Sequence, residues 1–312
     1  MTKKRISIGI PCFNEENNII PAYKALKHIA LTYRKYTFEF IFVDNGSTDN
    51  SKQSIMSLAK QDREVVGIFL SRNFGPEAST HAAFSQASGD SFIFFPCDLQ
   101  DPPELIPEFI KKWEQGYDIT LGVYTKTEDV FFMKFLRKHY YNIIKTIANI
   151  NIPTNADGYG LIDRKVMNAL KQLPERYRFY RGLVAWVGFK TAYITYERRS
   201  RERGKSSYKL LDYFKHAERS FFGFSYVPLD IIIYIGFSLV LLSFAGIFIF
   251  LLLHLLYGHA LNISILILIA ILFFGGIQLM AFSIVGKYIQ VIVEETKSRP
   301  MYIIRDIINE KK

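Results

Sequence analysis

The sequence holds only two cysteines, Cys12 and Cys97. Two thiols cannot build a zinc site without histidine or carboxylate help, and no such spacing is present, so both are expected to be reduced cytosolic thiols. No G-x-G-x-x-G follows the first apolar run, which excludes the dinucleotide-binding fingerprint. Gly204-Lys205-Ser206 resembles the end of a phosphate-binding P-loop, but its first glycine would fall at Arg199 and no strand pattern precedes it, which excludes that ATPase class. The first apolar run, 6–10, is shorter than the roughly 7–15 apolar residues of a secretory signal, so the soluble part is expected in the cytoplasm. Acidic residues are in deficit, 29 against 39 Lys and Arg, which gives a net charge of +10.

Hydrophobic residues make up 49% of the 312, but they are unevenly spread. Residues 1–227 are an ordinary soluble mixture, whereas 228–293 are almost wholly apolar. Two runs stand out there, 229–257 and 261–286, and each exceeds the roughly 20 apolar residues of a membrane-spanning helix. Their connector, 258–260, is short and lacks Lys and Arg, while both outer flanks carry them. The expectation is a two-helix transmembrane hairpin with both flanks in the cytoplasm, followed by a cytoplasmic tail over 294–312. The basic residues Arg198, Arg199, Arg201, Arg203, Lys205, Lys209, Lys215 and Arg219 crowd next to the first run. That placement favours an anionic membrane surface, where each such residue contributes about 1 kcal/mol, over nucleic acid. Segments 131–150 and 208–227 each set apolar residues at helical spacing opposite lysines, the pattern of amphipathic helices lying in the headgroup layer.

The first third alternates strand and helix patterns. Apolar strands are expected at 6–10, 38–43, 65–70 and 91–95, with a helix over about 17–33 after the first. This order implies an α/β domain over 1–207 with a mostly parallel sheet. Polar turns follow each strand, and ligands of open α/β sheets sit at that edge. Asp44, Asp98 and Asp101 all follow strands, where a carboxylate accepts from a base or holds a hard cation. One such aspartate alone is a turn or a helix cap. Their repetition along one edge points to a nucleotide ligand.

Eight motifs support a resemblance. They are Pro11-Cys12-Phe13-Asn14-Glu15-Glu16, Val43-Asp44-Asn45-Gly46-Ser47-Thr48-Asp49, Ser71-Arg72-Asn73-Phe74-Gly75, Asp98-Leu99-Gln100-Asp101-Pro102-Pro103-Glu104, Asp163-Arg164-Lys165, Arg181-Gly182-Leu183, Trp186-Val187-Gly188-Phe189 and Arg201-x-x-Gly204-x-Ser206. Together with the apolar pair they resemble the polyprenyl-phosphate branch of family 2 glycosyltransferases, which have the GT-A fold. The resemblance implies transfer of a sugar from a nucleotide-sugar, UDP-linked, to undecaprenyl phosphate by inverting displacement, in the bacterial inner membrane. It implies that Pro11, Asn14, Glu15, Asp44, Asn45, Arg72 and Asp98 bind the donor. Asp98 and Gln100 would approach a divalent cation, Mg²⁺ or Mn²⁺. Asp157 would lie near the reacting sugar, and Arg201, Lys205 and Ser206 would belong to a loop closing over phosphates. Homo-oligomers are compatible with the pattern.

Three positions depart from the family pattern. Pro96 stands where an aspartate would supply a second metal ligand, Asn45 replaces an aspartate, and Gly160 replaces an arginine. The remaining Asp98, Gln100, Asp101, Asp157 and the basic loop favour an active enzyme with altered donor handling. A lipid phosphate is already anionic near neutral pH, so such an acceptor needs little help from a general base. Two alternatives use the same motifs: a catalytically silent nucleotide-binding scaffold, and an enzyme acting on a polysaccharide.

Overall fold

The computed structural model describes residues 3–125, 155–175, 178, 180–200, 227–257 and 263–310. Strand β1 (Arg5–Cys12) leads to helix α1 (Ile19–Thr32), β2 (Thr37–Asp44), α2 (Ser51–Gln61), β3 (Val65–Leu70), α3 (Pro76–Gln86) and β4 (Ser91–Phe94). After a 3-10 turn at Pro103–Leu105 come α4 (Ile106–Glu114), β5 (Ile119–Tyr124), β6 (Gly160–Asp163), α5 (Arg164–Gln172), α6 (Tyr180–Trp186) and β7 (Thr191–Tyr196). Two long helices, α7 (Val227–Tyr257) and α8 (Ile263–Thr296), precede a last strand, β8 (Ile304–Ile308). The four strands and the helix expected in the first third are present, with no end shifted by more than two residues.

The eight strands form one sheet in the order β7-β5-β6-β4-β1-β2-β3-β8. Strands β4, β1, β2 and β3 run parallel, and β5 and β7 run parallel to each other. Strand β6 is antiparallel to both β4 and β5, and β8 is antiparallel to β3. The C-terminal ends of β1–β5 and β7 therefore share one edge with the N-terminal ends of β6 and β8. The chain reverses between β1 and β4, which opens the crevice where α/β sheets take ligands.

Side chains alternate across the pleat and build two cores. Phe38, Phe40 and Phe42 of β2 face α1, α2 and α4 through Leu26, Ile55 and Phe109, all buried. Ile41 and Val43 face the other way, toward α3, α5 and α6 through Phe84, Met167 and Leu183. Near-continuous apolar strands, buried on both faces, are what a parallel sheet requires. The Asp163-Arg164-Lys165 motif is architectural: Asp163 caps α5 by accepting from the Lys165 backbone N–H at 2.9 Å, and Arg164 donates to the Ala87 carbonyl at 3.2 Å.

Large apolar side chains stand exposed along α7 and α8, among them Phe237, Phe244, Phe248, Leu279 and Phe282. Such an extended apolar surface marks a membrane or protein contact. Among the described residues, one stretch is long and apolar enough to cross a membrane, Phe273–Thr296, with 24 residues and mean hydropathy 1.5. The corresponding stretch in α7, Ile231–Gly246, is shorter. The apolar run expected over 261–286 ends before Lys287, but the helix continues past it, through Lys287 and Glu294, to Thr296. The amphipathic segments at 131–150 and 208–227, apart from Val227 at the start of α7, the connector 258–260 and the loop bearing Arg201, Lys205 and Ser206 lie outside the described residues.

The segment expected to be a plain tail includes β8. Its return to the sheet is pinned from several sides. The Ser71 backbone N–H donates to the Ile303 carbonyl at 2.9 Å, and the Asn309 amide donates to the carbonyls of Ala59 and Val65 at 2.6 and 2.9 Å. Tyr302 packs on His81 with ring centroids 5.8 Å apart.

Candidate active site

The loops after β1 and β2 are tied together by side-chain hydrogen bonds. Asn14 takes a left-handed backbone (φ 55°), and its carbonyl oxygen accepts from the Thr48 backbone N–H at 2.9 Å. The Ser47 hydroxyl accepts from the Asn14 N–H at 2.9 Å, and the Ser51 hydroxyl from the Glu15 N–H at 2.9 Å. Glu15 accepts from the Asn18 amide at 2.5 Å. Asp44, at the end of β2, is 1% exposed and accepts from the Ser47 N–H at 3.1 Å. Pro11, Asn14, Glu15 and Asp44 thus lie close together at the C-terminal ends of β1 and β2.

Asn45 has a different place from the other donor candidates. It is 3% exposed and brackets two loops. Its amide donates to Asn73 Oδ1 at 3.2 Å and to the Gly75 carbonyl at 3.0 Å, while its oxygen accepts from the Phe74 N–H at 3.0 Å. An aspartate has no N–H to give. The departure at 45 therefore exchanges a charge for a two-way brace. Gly46 lets this turn approach: with φ 71°, a Cβ there would stand 2.5 Å from the Arg72 carbonyl carbon. Arg72 is exposed, stacks 4.0 Å over the Phe74 ring and donates to the Asn73 carbonyl at 2.9 Å.

After β4, Asp98 is half-buried and accepts from the Gln100 N–H at 3.3 Å, around a left-handed Leu99 (φ 58°). The Gln100 side chain turns toward the next loop, its amide donating to the Arg199 carbonyl at 3.4 Å, while the Gln100 backbone carbonyl accepts from the Arg199 N–H at 2.9 Å. Among the described residues no group of three His, Cys, Asp or Glu side chains is placed to hold a metal ion. Burial and the neighbouring Cys97 push the Cys12 thiol well above its ordinary range, in keeping with an inert structural pair.

Asp101, fully buried, belongs to a charged cluster on the far side of the crevice. It accepts a hydrogen bond from the Tyr196 hydroxyl and pairs with Arg198, whose Nε lies 3.3 Å away. Burial pushes the Asp101 carboxyl up to about 6, against the opposing pull of Arg198 and Tyr196. Asp157, just before β6, receives Arg181 on one oxygen at 2.9 Å and Arg198 on the other at 2.7 Å. Beside it opens a cleft lined by Leu121, Gly158, Tyr180, Arg181, Val184 and Tyr193. Gly160 cannot carry the arginine of the family pattern, because a Cβ there would lie 2.1 Å from the Thr120 carbonyl oxygen.

Residues 7–171 match the family described as glycosyl transferase family 2. The chain belongs to that family. Relatives extend the likeness beyond the matched segment. A glycosyltransferase of Synechocystis is 37% identical over 97% of this chain and 95% of its own. A prophage bactoprenol glucosyl transferase homolog of Escherichia coli is 34% identical over 97% of this chain and 99% of its own. The bactoprenol glucosyl transferase of Shigella phage SfV is 34% identical over 98% and 99%. A family 2 glycosyltransferase with the GT-A-like sheet is thus the scaffold on which these residues sit. Sequence reasoning missed two of them as site residues. Arg198 was counted only among juxtamembrane charges, and Arg181 only as a motif letter. Arg198 carries a spacing signal, two residues after β7 at the edge where the other strands end, whereas Arg181, inside α6, carries none.

Proposed function

We propose that this family 2 glycosyltransferase moves a sugar from a nucleotide-sugar, UDP-linked, onto a polyprenyl phosphate, undecaprenyl phosphate, at the cytoplasmic face of the bacterial inner membrane. One observation carries the lipid acceptor. The chain leaves the sheet at the C-terminal end of β7 and returns at that same edge as β8, with the apolar helices α7 and α8 between. A chain whose two ends join one sheet crosses a bilayer an even number of times, which supports two spans forming a hairpin. In chain order both helices lie between strands that meet the edge where the proposed donor residues sit, so a lipid acceptor would meet the donor there. The relatives named for bactoprenol, similar from end to end, support the same reading.

In the proposed step an acceptor phosphate oxygen forms a bond to the anomeric carbon as the bond to the donor diphosphate breaks, and the electron pair leaves with the diphosphate. The attacking group is already anionic, so no side chain has to remove a proton. Asp157, with both oxygens engaged by guanidinium groups, suits orientation of the sugar better than proton abstraction. Asp98 would hold a divalent cation jointly with the donor's phosphate oxygens, since Mg²⁺ sites often use one or two carboxylates plus substrate. Such a cation neutralises charge on the leaving diphosphate. The loop with Arg201, Lys205 and Ser206 would cover the phosphates, Arg201 gripping two oxygens at once.

The test is incubation of purified protein with undecaprenyl phosphate and a panel of UDP- and GDP-sugars, followed by mass spectrometry of the lipid extract. A lipid phosphate heavier by one sugar residue, with stoichiometric nucleoside diphosphate, is expected. Nucleotide binding without product would instead identify a silent scaffold, and product only on added polysaccharide would identify the other acceptor.

A further inference from the structure

We propose that Arg198 is a positioning residue that fixes Asp157 against the reacting sugar by tying it to Asp101; the proposal rests on the transfer reading above. Three segments distant in sequence meet at this guanidinium. Its Nη1 donates to Asp157 Oδ2 at 2.7 Å, and Nη2 lies 3.5 Å from Asp101 Oδ2. Nε stands 3.3 Å from Asp101 Oδ1 without hydrogen-bond geometry, an ionic contact at a buried atom. The guanidinium carbon lies 5.3 Å from the centroid of the Tyr124 ring, which limits its movement on that side. Asp101 is the anchor of the arrangement: it is 0% exposed and also accepts from the Tyr196 hydroxyl, so it does not swing.

The consequence is mechanical. Asp157 sits in the short stretch before β6, where, among the described residues, one oxygen is held by Arg181. A single contact leaves the carboxylate free to rotate, and a second, from a different element, fixes its plane. Arg198 supplies that second contact and carries the rigidity of the buried Asp101 to it. The neighbouring Arg199 is bonded at its backbone to Gln100, so the start of the basic loop is registered on the Asp98–Asp101 turn as well. A planar fork reaches both carboxylates at once, whereas a lysine ammonium, a single point of charge, reaches one.

The test uses full-length protein with undecaprenyl phosphate and the active nucleotide-sugar. Arg198→Lys is expected to lower kcat about tenfold, and Arg198→Ala roughly a hundredfold, the cost of misplacing a group by about 1 Å. Donor KM is expected to stay within about threefold in both, because binding is not what is lost. Added guanidinium ion is expected to restore part of the kcat of Arg198→Ala. Arg198→Ala leaves a buried carboxylate unpaired and endangers folding, so Arg198→Ala/Asp101→Asn is the second variant. It is expected to recover thermal stability while kcat stays low. A double variant with wild-type kcat would overturn the proposal, since Arg198 would then only neutralise Asp101. Wild-type kcat in Arg198→Lys would overturn it too. A wild-type protein that transfers no sugar overturns the functional reading first, and the proposal with it.

Discussion

The two sides of the crevice are built from different interactions. On one side, the loops after β1, β2 and β3 are held by hydrogen bonds to backbone and amide groups with no ion pair among the named contacts, such as Thr48 N–H to Asn14 and the Asn45 amide to Gly75, each near 3 Å. Across from them, Asp101, Asp157, Arg181 and Arg198 are held by charge, with two carboxylates balanced by two guanidinium groups. A neutral brace keeps its geometry whatever enters the pocket. A balanced charge cluster is sensitive to each partner, because removing one leaves its counterpart buried and unpaired. On the proposed function, the first side would recognise a constant group, the nucleotide, and the second would steer the reacting centre.

That difference can be broken by mutation, and the expected effects are graded. Asp98→Ala should lose nearly all turnover, a drop on the order of a hundredfold or more, because leaving-group stabilisation is the largest single contribution to such a reaction. Excess EDTA should do the same in the wild type, and full activity in EDTA would remove the cation from the account. Arg201→Lys should lower transfer about tenfold, the loss of one charge-assisted bond worth about 1.5–3 kcal/mol, with membrane association unchanged. Unchanged transfer there would reduce the loop to surface adhesion.

Asn45→Asp sharpens the comparison most. It restores the residue common in the family, yet it should raise donor KM and cost about 1–3 kcal/mol of stability, because a carboxylate cannot donate to Gly75 and Asn73. Chemical denaturation and donor titration check both. Tighter donor binding would show that charge, not the brace, governs that side.

The smallest effect concerns acid. Burial, followed by the nearby Arg178 and Lys171, lowers the His81 imidazole from 6.5 to about 4. The unfolded chain thus binds this proton at higher pH than the folded one. The stability contributed by neutral His81 is complete above about pH 6.5 and is lost as pH falls toward 4. His81→Gln should reduce the fall in melting temperature between neutral pH and about pH 5, by roughly 2–4 °C. An identical fall in both proteins would place the acid sensitivity elsewhere.

The donor side was legible in the sequence because each of its parts is a short motif following an apolar strand. Parallel strands then bring such motifs to one edge without further information. The opposite side was not legible as a unit. Asp157, Arg181 and Arg198 come from three segments, and only β6 and β7 bring them together. Strands β6 and β8 span four and five residues, too few for a periodic signal. Arg198 looked like one of a run of membrane-facing charges because composition cannot separate a guanidinium aimed at two carboxylates from one aimed at lipid. The C-terminal segment looked like a tail because Ile304, Ile307 and Ile308 are interrupted by Arg305 and Asp306, as an edge strand permits.

On the proposed function, a nucleotide-sugar and a membrane acceptor meet on one side of the bilayer. Sealed vesicles of defined orientation, loaded with undecaprenyl phosphate and the full-length protein, test it most directly. Labelled nucleotide-sugar is added only outside. Inside-out vesicles, which expose the cytoplasmic face, should form labelled lipid, whereas right-side-out vesicles should form it only after permeabilisation. Equal labelling in both intact preparations, or labelling confined to the right-side-out vesicles, would contradict the account.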